Sequence, residues 1–300
     1  MFVLLGSNGQ ITSQLAHRLL AEGRPVRVIG RNAQALAELQ RAGAELALGD
    51  PSDAAFLERA FAGAVGVYAM TPPCYTEPDM RAAQGRIGMA VAQALRRARV
   101  RRVVNLSSVG AELPAGTGPI ASLHAQEKRL DAIDRIDLLH LRPGYFMENF
   151  LAGLPSVAAG GPLAGMEAPD VPIPMVATRD ISALVARELT SPAQRGVLVL
   201  HSPSHPTMRE AARTLGAACG NPGLEYLQLP PAEMKPVLQA EGLSADATDQ
   251  LEELAHWLST DAMASIAAAP AALQPTTIEH FARQIFAPAY AHAAPAGSRS

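Results

Sequence analysis

Lysine is almost absent from this chain. Only Lys128 and Lys235 occur among 300 residues, so arginine carries nearly all of the positive charge. Basic residues (25) are outnumbered by acidic ones (28), leaving a formal charge of −3. A surface that grips nucleic-acid phosphates needs a clear basic excess, so no direct nucleic-acid partner is expected. Cysteine is scarce too. Cys74 and Cys219 make no disulfide framework, and neither a CxxC pair nor a metal-ligand spacing is present. His201 and His205 stand four residues apart, but Pro203 and Pro206 oppose a helix that would converge them on an ion. No metal is expected. No apolar run approaches the roughly 20 residues of a membrane span. Phe2-Val3-Leu4-Leu5, directly after Met1, is too short for a signal-peptide core. A cytoplasmic protein with no membrane partner is the expectation. The absence of a Gly-x-Ser-x-Gly elbow argues against an α/β hydrolase.

What is present reads as a globular chain, 48% hydrophobic and 18% charged, long enough for a large α/β domain with a smaller lobe. Phe2–Leu5, Val26–Ile29, Glu45–Leu48, Val65–Met70, Val103–Leu106 and Leu138–Leu141 are short apolar runs, as strands covered on both faces require. Between them Ile11, Leu15, Leu19 and Leu20 recur at helical spacing, and Asp53 opens a helix over Asp53–Phe61 as its N-cap. Met80–Arg99 is a longer helix whose arginine-rich end suits the helix dipole. Alternating βα units of this kind predict an α/β fold with a Rossmann-type, doubly wound parallel sheet. This domain spans 1–150 and is rejoined by a helix and strand near 178–200. A smaller, mostly helical lobe takes 151–177 and 201–286, with 152–176 read as loop. Helices are expected at 207–218, 231–241, 244–258 and Thr277–Ile285, and a flexible tail at 287–300.

Gly6-Ser7-Asn8-Gly9-Gln10-Ile11-Thr12 follows the first strand and opens the first helix, the context that a dinucleotide-binding turn requires. The first glycine permits the tight turn, the second admits the pyrophosphate, and the helix N-terminus supplies N–H groups. Thr12 replaces the usual third glycine, so either helix and strand pack more loosely or its hydroxyl is used locally. The second strand ends in Gly30-Arg31-Asn32, with arginine where an NAD-selecting site has an acid. A guanidinium there forks onto a 2′-phosphate, which favours NADP(H); the other reading is a surface arginine. Asp50, after the third strand, either meets the adenine amino group or caps the next helix. Cys74 lies near the same loops, as a thiol beside the substrate or a plain one.

These segments, together with Val103-Val104-Asn105-Leu106-Ser107-Ser108-Val109-Gly110 and Leu141-Arg142-Pro143-Gly144-Tyr145-Phe146-Met147-Glu148-Asn149, resemble the NmrA-like group of atypical short-chain dehydrogenases. The resemblance is close over about 1–150 and looser beyond, as far as Thr178-Arg179-Asp180-Ile181. It implies an NADP(H) cofactor. Thr71, Pro72 and Pro73 would border its ribose and pyrophosphate, Ser107 and Ser108 would lie near the nicotinamide, and Pro143, Tyr145 and Phe146 would flank it at the substrate mouth. Each serine also reads as a capping or turn hydroxyl.

The usual short-chain dehydrogenase pairs a tyrosine with a lysine four residues on, which lowers the phenol pKa for proton transfer. None of the five tyrosines has that lysine. His124 and Lys128, four apart on one helix face, are the candidate proton donor and cation, with Ser108 beside them; the alternative is an exposed charged face. Without the dyad, a quinone or similar conjugated acceptor is favoured, because its reduced anion is delocalised. The expected function is NADPH-dependent hydride transfer to such a small molecule. The competing reading is a non-catalytic NADP(H) sensor that acts through a protein partner.

Overall fold

The computed structural model describes residues 1–6 and 9–293. The chain opens with β1 (Phe2–Leu5), α1 (Gln10–Ala21), β2 (Val26–Gly30), α2 (Ala37–Arg41) and β3 (Glu45–Leu48). It continues through α3 (Ala54–Phe61), β4 (Gly66–Met70), α4 (Met80–Arg97), β5 (Arg102–Leu106), α5 (Ile120–Asp131) and β6 (Asp137–Pro143). Short pieces follow: β7 (Tyr145–Phe146), α6 (Leu154–Ala158), β8 (Leu163–Gly165) and β9 (Met175–Val176). Then come α7 (Thr178–Thr190), β10 (Gly196–His201), α8 (Met208–Ala218), β11 (Tyr226–Gln228) and α9 (Pro231–Ala240). The last elements are α10 (Ala245–Leu258), α11 (Ala262–Ala268), β12 (Ala272–Leu273), α12 (Ile278–Phe281) and α13 (Ala287–Ala293).

Two compact units result: Met1–Arg142 with Arg179–Val199, and Pro143–Thr178 with the chain from Leu200 onward. In the first, strands lie in the order β10-β6-β5-β4-β1-β2-β3. The pairs from β6 to β3 are parallel, with Leu5 opposite Ile29 and Leu4 opposite Tyr68. All four residues of β1 are buried, which is why it reads as an unbroken apolar run. One core cluster joins Val3, Leu5, Val67 and Val103 of the sheet to Leu57 and Phe61 of α3 and Val91 and Leu95 of α4. Asp53 caps α3 as its position predicts, accepting from the N–H groups of Ala55 and Phe56. The order reverses between β1 and β4: the chain builds outward to β3, then restarts on the other side. Such a switch point leaves a crevice beyond the carboxyl ends of the two strands.

The second unit holds two short parallel pairs, β7 with β9 and β8 with β11, and β12 pairs with Leu200 and His201 at the end of β10. Residues 152–176 are therefore not a continuous loop. Glycine and proline cut that stretch into elements of two to five residues, too short to show a period, and their partners lie far away in sequence. The segment expected as a tail from 287 is helical through Ala293, continuing α12 by way of a π-helical turn at Ala282–Phe286. Its four alanines between Ala287 and Ala293 favour helix. The remainder, 294–300, lies outside the described residues.

Within the first unit Glu127 of α5 is a buried charged group. Arg142, on β6, forks onto it through Nε–Oε1 at 3.0 Å and Nη2–Oε2 at 2.6 Å, while Nη1 reaches Glu112 at 3.0 Å. Burial opposes ionisation of Glu127, but the hydrogen bonds from Arg142 win and hold its carboxyl below the ordinary value. A carboxyl depressed in the folded state stabilises above its unfolded pKa and loses that contribution as pH falls through the folded value. Glu127→Gln should therefore flatten the acid limb of the stability curve below the ordinary carboxylate range. At neutral pH it should destabilise by about 3–5 kcal/mol, because Arg142 is left without its buried partner. Denaturant melts at neutral and acid pH check this; equal losses at both would show that the charge of Glu127 is not what matters.

Candidate functional site

At the end of β1 the chain turns through Gly6, whose φ of +110° lies in the region that favours glycine. A Cβ there would sit 2.6 Å from Thr12 Oγ1 and 3.3 Å from the Met70 side chain. Thr12 is buried, and its hydroxyl donates to the Leu5 carbonyl at 2.9 Å. The hydroxyl is thus used locally, which settles the role left open for this threonine. Gly9 precedes α1 in an extended conformation with no capping side chain, and its N–H donates to Gly6 O at 2.9 Å. The first helical bond runs from Ser13 N–H to Gly9 O, so the N–H groups before it point out of the helix N-terminus. Gln10 and Ile11 contribute there by backbone; the Ile11 side chain is in the core. Ser7 and Asn8 lie outside the described residues.

Beyond the carboxyl ends of β1, β2 and β4 is a cavity of about 480 Å³, the size of a small-molecule site. It brings together Gly6, Arg31, Asp50, Pro72 and Pro73 from the residues singled out by sequence. Gly9, Gln10, Ile11 and Thr71 adjoin it in the chain but do not line it. Arg31 is exposed. Asn32 closes the next turn by accepting from the Gln34 and Ala35 N–H groups, which fixes the backbone after Arg31. Asp50 accepts from Ser52 N–H at 2.8 Å. Hydrogen bonds from the Ser52 backbone and hydroxyl hold its carboxyl below the ordinary value against burial, with lesser help from the charges of Arg31 and Arg86. Asp50 therefore caps a turn, not α3, and keeps its place in the cavity wall.

The opposite wall is the loop after β4. Pro72 O accepts from Gln84 Nε2 of α4 at 3.2 Å, which ties the loop to the helix. Cys74 lines the cavity with a φ of +56°. Burial, reinforced by Glu77, pushes its thiol up despite Arg31 and Arg86, so it is a poor nucleophile. Sequence reasoning missed Ser52, Met70, Thr76, Glu77 and Arg86 in this lining. The available signal was on α4: Ala83, Arg86 and Ile87 share one helix face.

The candidate proton-transfer residues stand elsewhere in the first unit and do not line this cavity. Ser107 is buried just after β5, its N–H donating to Leu141 O at 2.7 Å. Ser108 O accepts from Ala111 N–H, and Ala111 O lies 2.9 Å from His124 Nδ1. A carbonyl can only accept, so Nδ1 carries the proton and Nε2 is the nitrogen left for chemistry. Lys128, one turn on, is exposed.

In the second unit Pro143 is buried, while Tyr145 and Phe146 form β7 half-buried; the Tyr145 ring lies 5.9 Å from that of Phe150. Gly144 between them has no room for a side chain, because a Cβ would collide with the Pro174 carbonyl. Glu148 is buried and accepts from Thr178 N–H at 2.9 Å and Thr178 Oγ1 at 2.6 Å. His201 and His205 meet edge-on with ring centres 4.8 Å apart. Among the described residues no group of three or more His, Cys, Asp or Glu is arranged to hold a metal. None of the described helices is long and apolar enough to cross a membrane.

Parallel strands, a glycine turn and a cavity at the switch point define a Rossmann-type α/β protein. The model of the NmrA-like family matches residues 2–282, and the chain belongs to that family. It is 28% identical over 223 residues to (4-alkanoyl-5-oxo-2,5-dihydrofuran-3-yl)methyl phosphate reductase of Streptomyces griseus subsp. griseus, covering 74% of this chain and 75% of that protein. It is 25% identical over 268 residues to NAD(P)H azoreductase of Xenophilus azovorans, covering 89% and 90%. Among solved structures it is similar to the NADPH-dependent quinone oxidoreductase of Escherichia coli complexed with NADPH, with a TM-score of 0.74 at 23% identity over 95% of this chain and 100% of that one. The triphenylmethane reductase of Citrobacter sp., complexed with NADP(H), gives a TM-score of 0.74 at 20% identity over 95% and 99%. These two likenesses establish the shared fold.

The contact at Gly6 has a direct test. Gly6→Ala should destabilise by about 1–3 kcal/mol through backbone strain, and by more through the clash with Thr12. Thr12→Ala in the same chain should relieve part of that loss. Thermal melts of the two single variants and the double check it, and strictly additive losses would refute the contact.

Proposed function

We propose that this protein is an NADP(H)-dependent oxidoreductase that reduces a small conjugated acceptor such as a quinone. The observation that carries the reading is the cavity at the switch point, lined by both Gly6 and Arg31. The residues present fit the cofactor. Gly6 leaves the backbone bare where a pyrophosphate approaches, and α1 presents an N-terminus without a capping side chain. Gly9, Gln10 and Ile11, at the start of α1, are assigned to this cofactor site together with Ser7 and Asn8. Arg31 takes the 2′-phosphate, Asp50 faces the adenine, and Thr71, Pro72 and Pro73 border the ribose and pyrophosphate. Ser107, Pro143, Tyr145 and Phe146 complete the cofactor contacts. The names of the two curated relatives, a reductase and an NAD(P)H azoreductase, support this chemistry.

Bound NADPH supplies the hydride. The chain itself then has to provide or relay a proton to the reduced acceptor. His124 Nε2 is assigned that role, Lys128 the adjacent positive charge, and Ser108 a hydrogen bond to the acceptor oxygen. Since Nδ1–H is held by the Ala111 carbonyl, Nε2 gives up a proton only from the imidazolium form. One observation favours a second reading, a redox sensor that binds NADP(H) and signals through a protein partner: no tyrosine has a lysine four residues on.

Two measurements decide. Arg31→Ala should raise the dissociation constant for NADPH about tenfold or more and leave NADH nearly unchanged; equal effects on both would remove the 2′-phosphate role. NADPH oxidation across a panel of quinones and azo dyes separates enzyme from sensor, since tight cofactor binding with no turnover on any acceptor would sink the reductase reading. In that assay His124→Ala should lower kcat about 10²-fold or more with NADPH affinity intact. An unchanged rate would leave the proton to solvent.

A further inference from the structure

The cavity beyond β2 contains two guanidinium groups, and only Arg31 has a role in the reading above. The other belongs to Arg86, on α4. It is flanked on its helix face by Ala83 and Ile87, which line the same cavity. Both arginines bear on the same two neighbours: their charges favour the Asp50 carboxylate and oppose the rise of the Cys74 thiol. Both line this one cavity, with Asp50 and Cys74, although they come from different elements. Asp50 is engaged with Ser52 N–H at 2.8 Å. Arg86 contacts Glu77 with Nη2 to Oε2 at 3.8 Å, outside hydrogen-bond reach, and the two side chains are 58% and 46% exposed. An exposed pair at that separation is weak and readily exchanged.

A phosphomonoester carries about 1.5–2 negative charges near neutral pH, more than one guanidinium balances. A planar fork that can meet it bidentately is the group best suited to supply the rest. We propose that Arg86 is the second guanidinium of the 2′-phosphate subsite, with Glu77 as its resting partner, displaced when the phosphate enters. This rests on the reading of the protein as NADP(H)-binding.

The test uses the intact protein and needs no turnover. Titration calorimetry with adenosine 2′,5′-bisphosphate and adenosine 5′-monophosphate measures the preference for the 2′-phosphate alone. The wild-type chain should prefer the bisphosphate, and Arg31→Ala and Arg86→Ala should each cut that preference about tenfold. Arg86→Lys should keep part of it, as a point charge without the fork, and Glu77→Gln should keep or strengthen it. If Arg86→Ala fails to melt cooperatively, Arg86→Gln is titrated in its place. Full preference in the Arg86 variant, alongside a loss in Arg31→Ala, would overturn the role of Arg86 and leave NADP(H) binding standing. Weaker bisphosphate binding by Glu77→Gln would overturn the displacement. No preference in the wild-type chain would instead bring down the NADP(H) reading itself.

Discussion

The close approach of α1 to the end of β1 is the constraint on which the first unit's site depends. Thr12 reaches back to the Leu5 carbonyl, and the hydroxyl occupies the space that a side chain on residue 6 would need. A glycine with positive φ is the residue type that satisfies both demands at once. The same position borders Met70 at the end of β4, the strand paired with β1 on its other side. Since the strand order reverses between these two strands, the chain leaves them in opposite directions and nothing fills the gap. The cavity is a consequence of topology, held to its dimensions by one tight turn.

That origin explains what could be read in advance. Strands buried on both faces announce themselves as apolar runs, so β1 was legible to the residue and β2, β4, β5 and β6 to within a few positions. β3, also legible to the residue, is not buried on both faces as expected but is an edge strand with Glu45 and Leu48 exposed. Gly6, Arg31, Asp50, Pro72 and Pro73 were legible as cavity residues because each follows the carboxyl end of a recognisable strand. Arg86 follows no strand, and Glu77 stands seven residues past the end of β4. Arg86 enters the cavity by the rotational phase of α4, and Glu77 lies in the loop before that helix. The elements within 152–176 were illegible for another reason. Pairs such as Leu163 with Tyr226 join residues more than sixty apart, and two or three residues carry no period.

The run from Arg142 to Asn149, the most distinctive piece of sequence, turns out to carry mostly structural duties. In the first unit Arg142 neutralises the buried Glu127 and so pins α5 to the sheet. In the second, Gly144 lets β6 leave past the Pro174 carbonyl, and Glu148 satisfies the backbone and hydroxyl of Thr178. A motif can be specific to a family because several buried polar groups must be satisfied together. Unpaired, each would cost about 1–3 kcal/mol, and more if charged.

The helix that Arg142 pins is also the one that carries His124, and this links stability to the proposed proton transfer. Glu127 fixes the rotation of α5, and three residues earlier His124 is turned toward the loop after β5, where Ala111 O claims its Nδ1 proton. Loosening the ion pair would therefore release the imidazole as well as weaken the fold. With Nδ1 claimed, the neutral ring can accept at Nε2 but cannot donate there. A substrate whose reduced form is a localised alkoxide would depend on the imidazolium fraction. One whose negative charge spreads over a conjugated system is a weaker base and can wait for the proton that His124 delivers. Under the proposed reading, the missing tyrosine–lysine dyad and the committed Nδ1 proton both narrow the acceptors to conjugated ones.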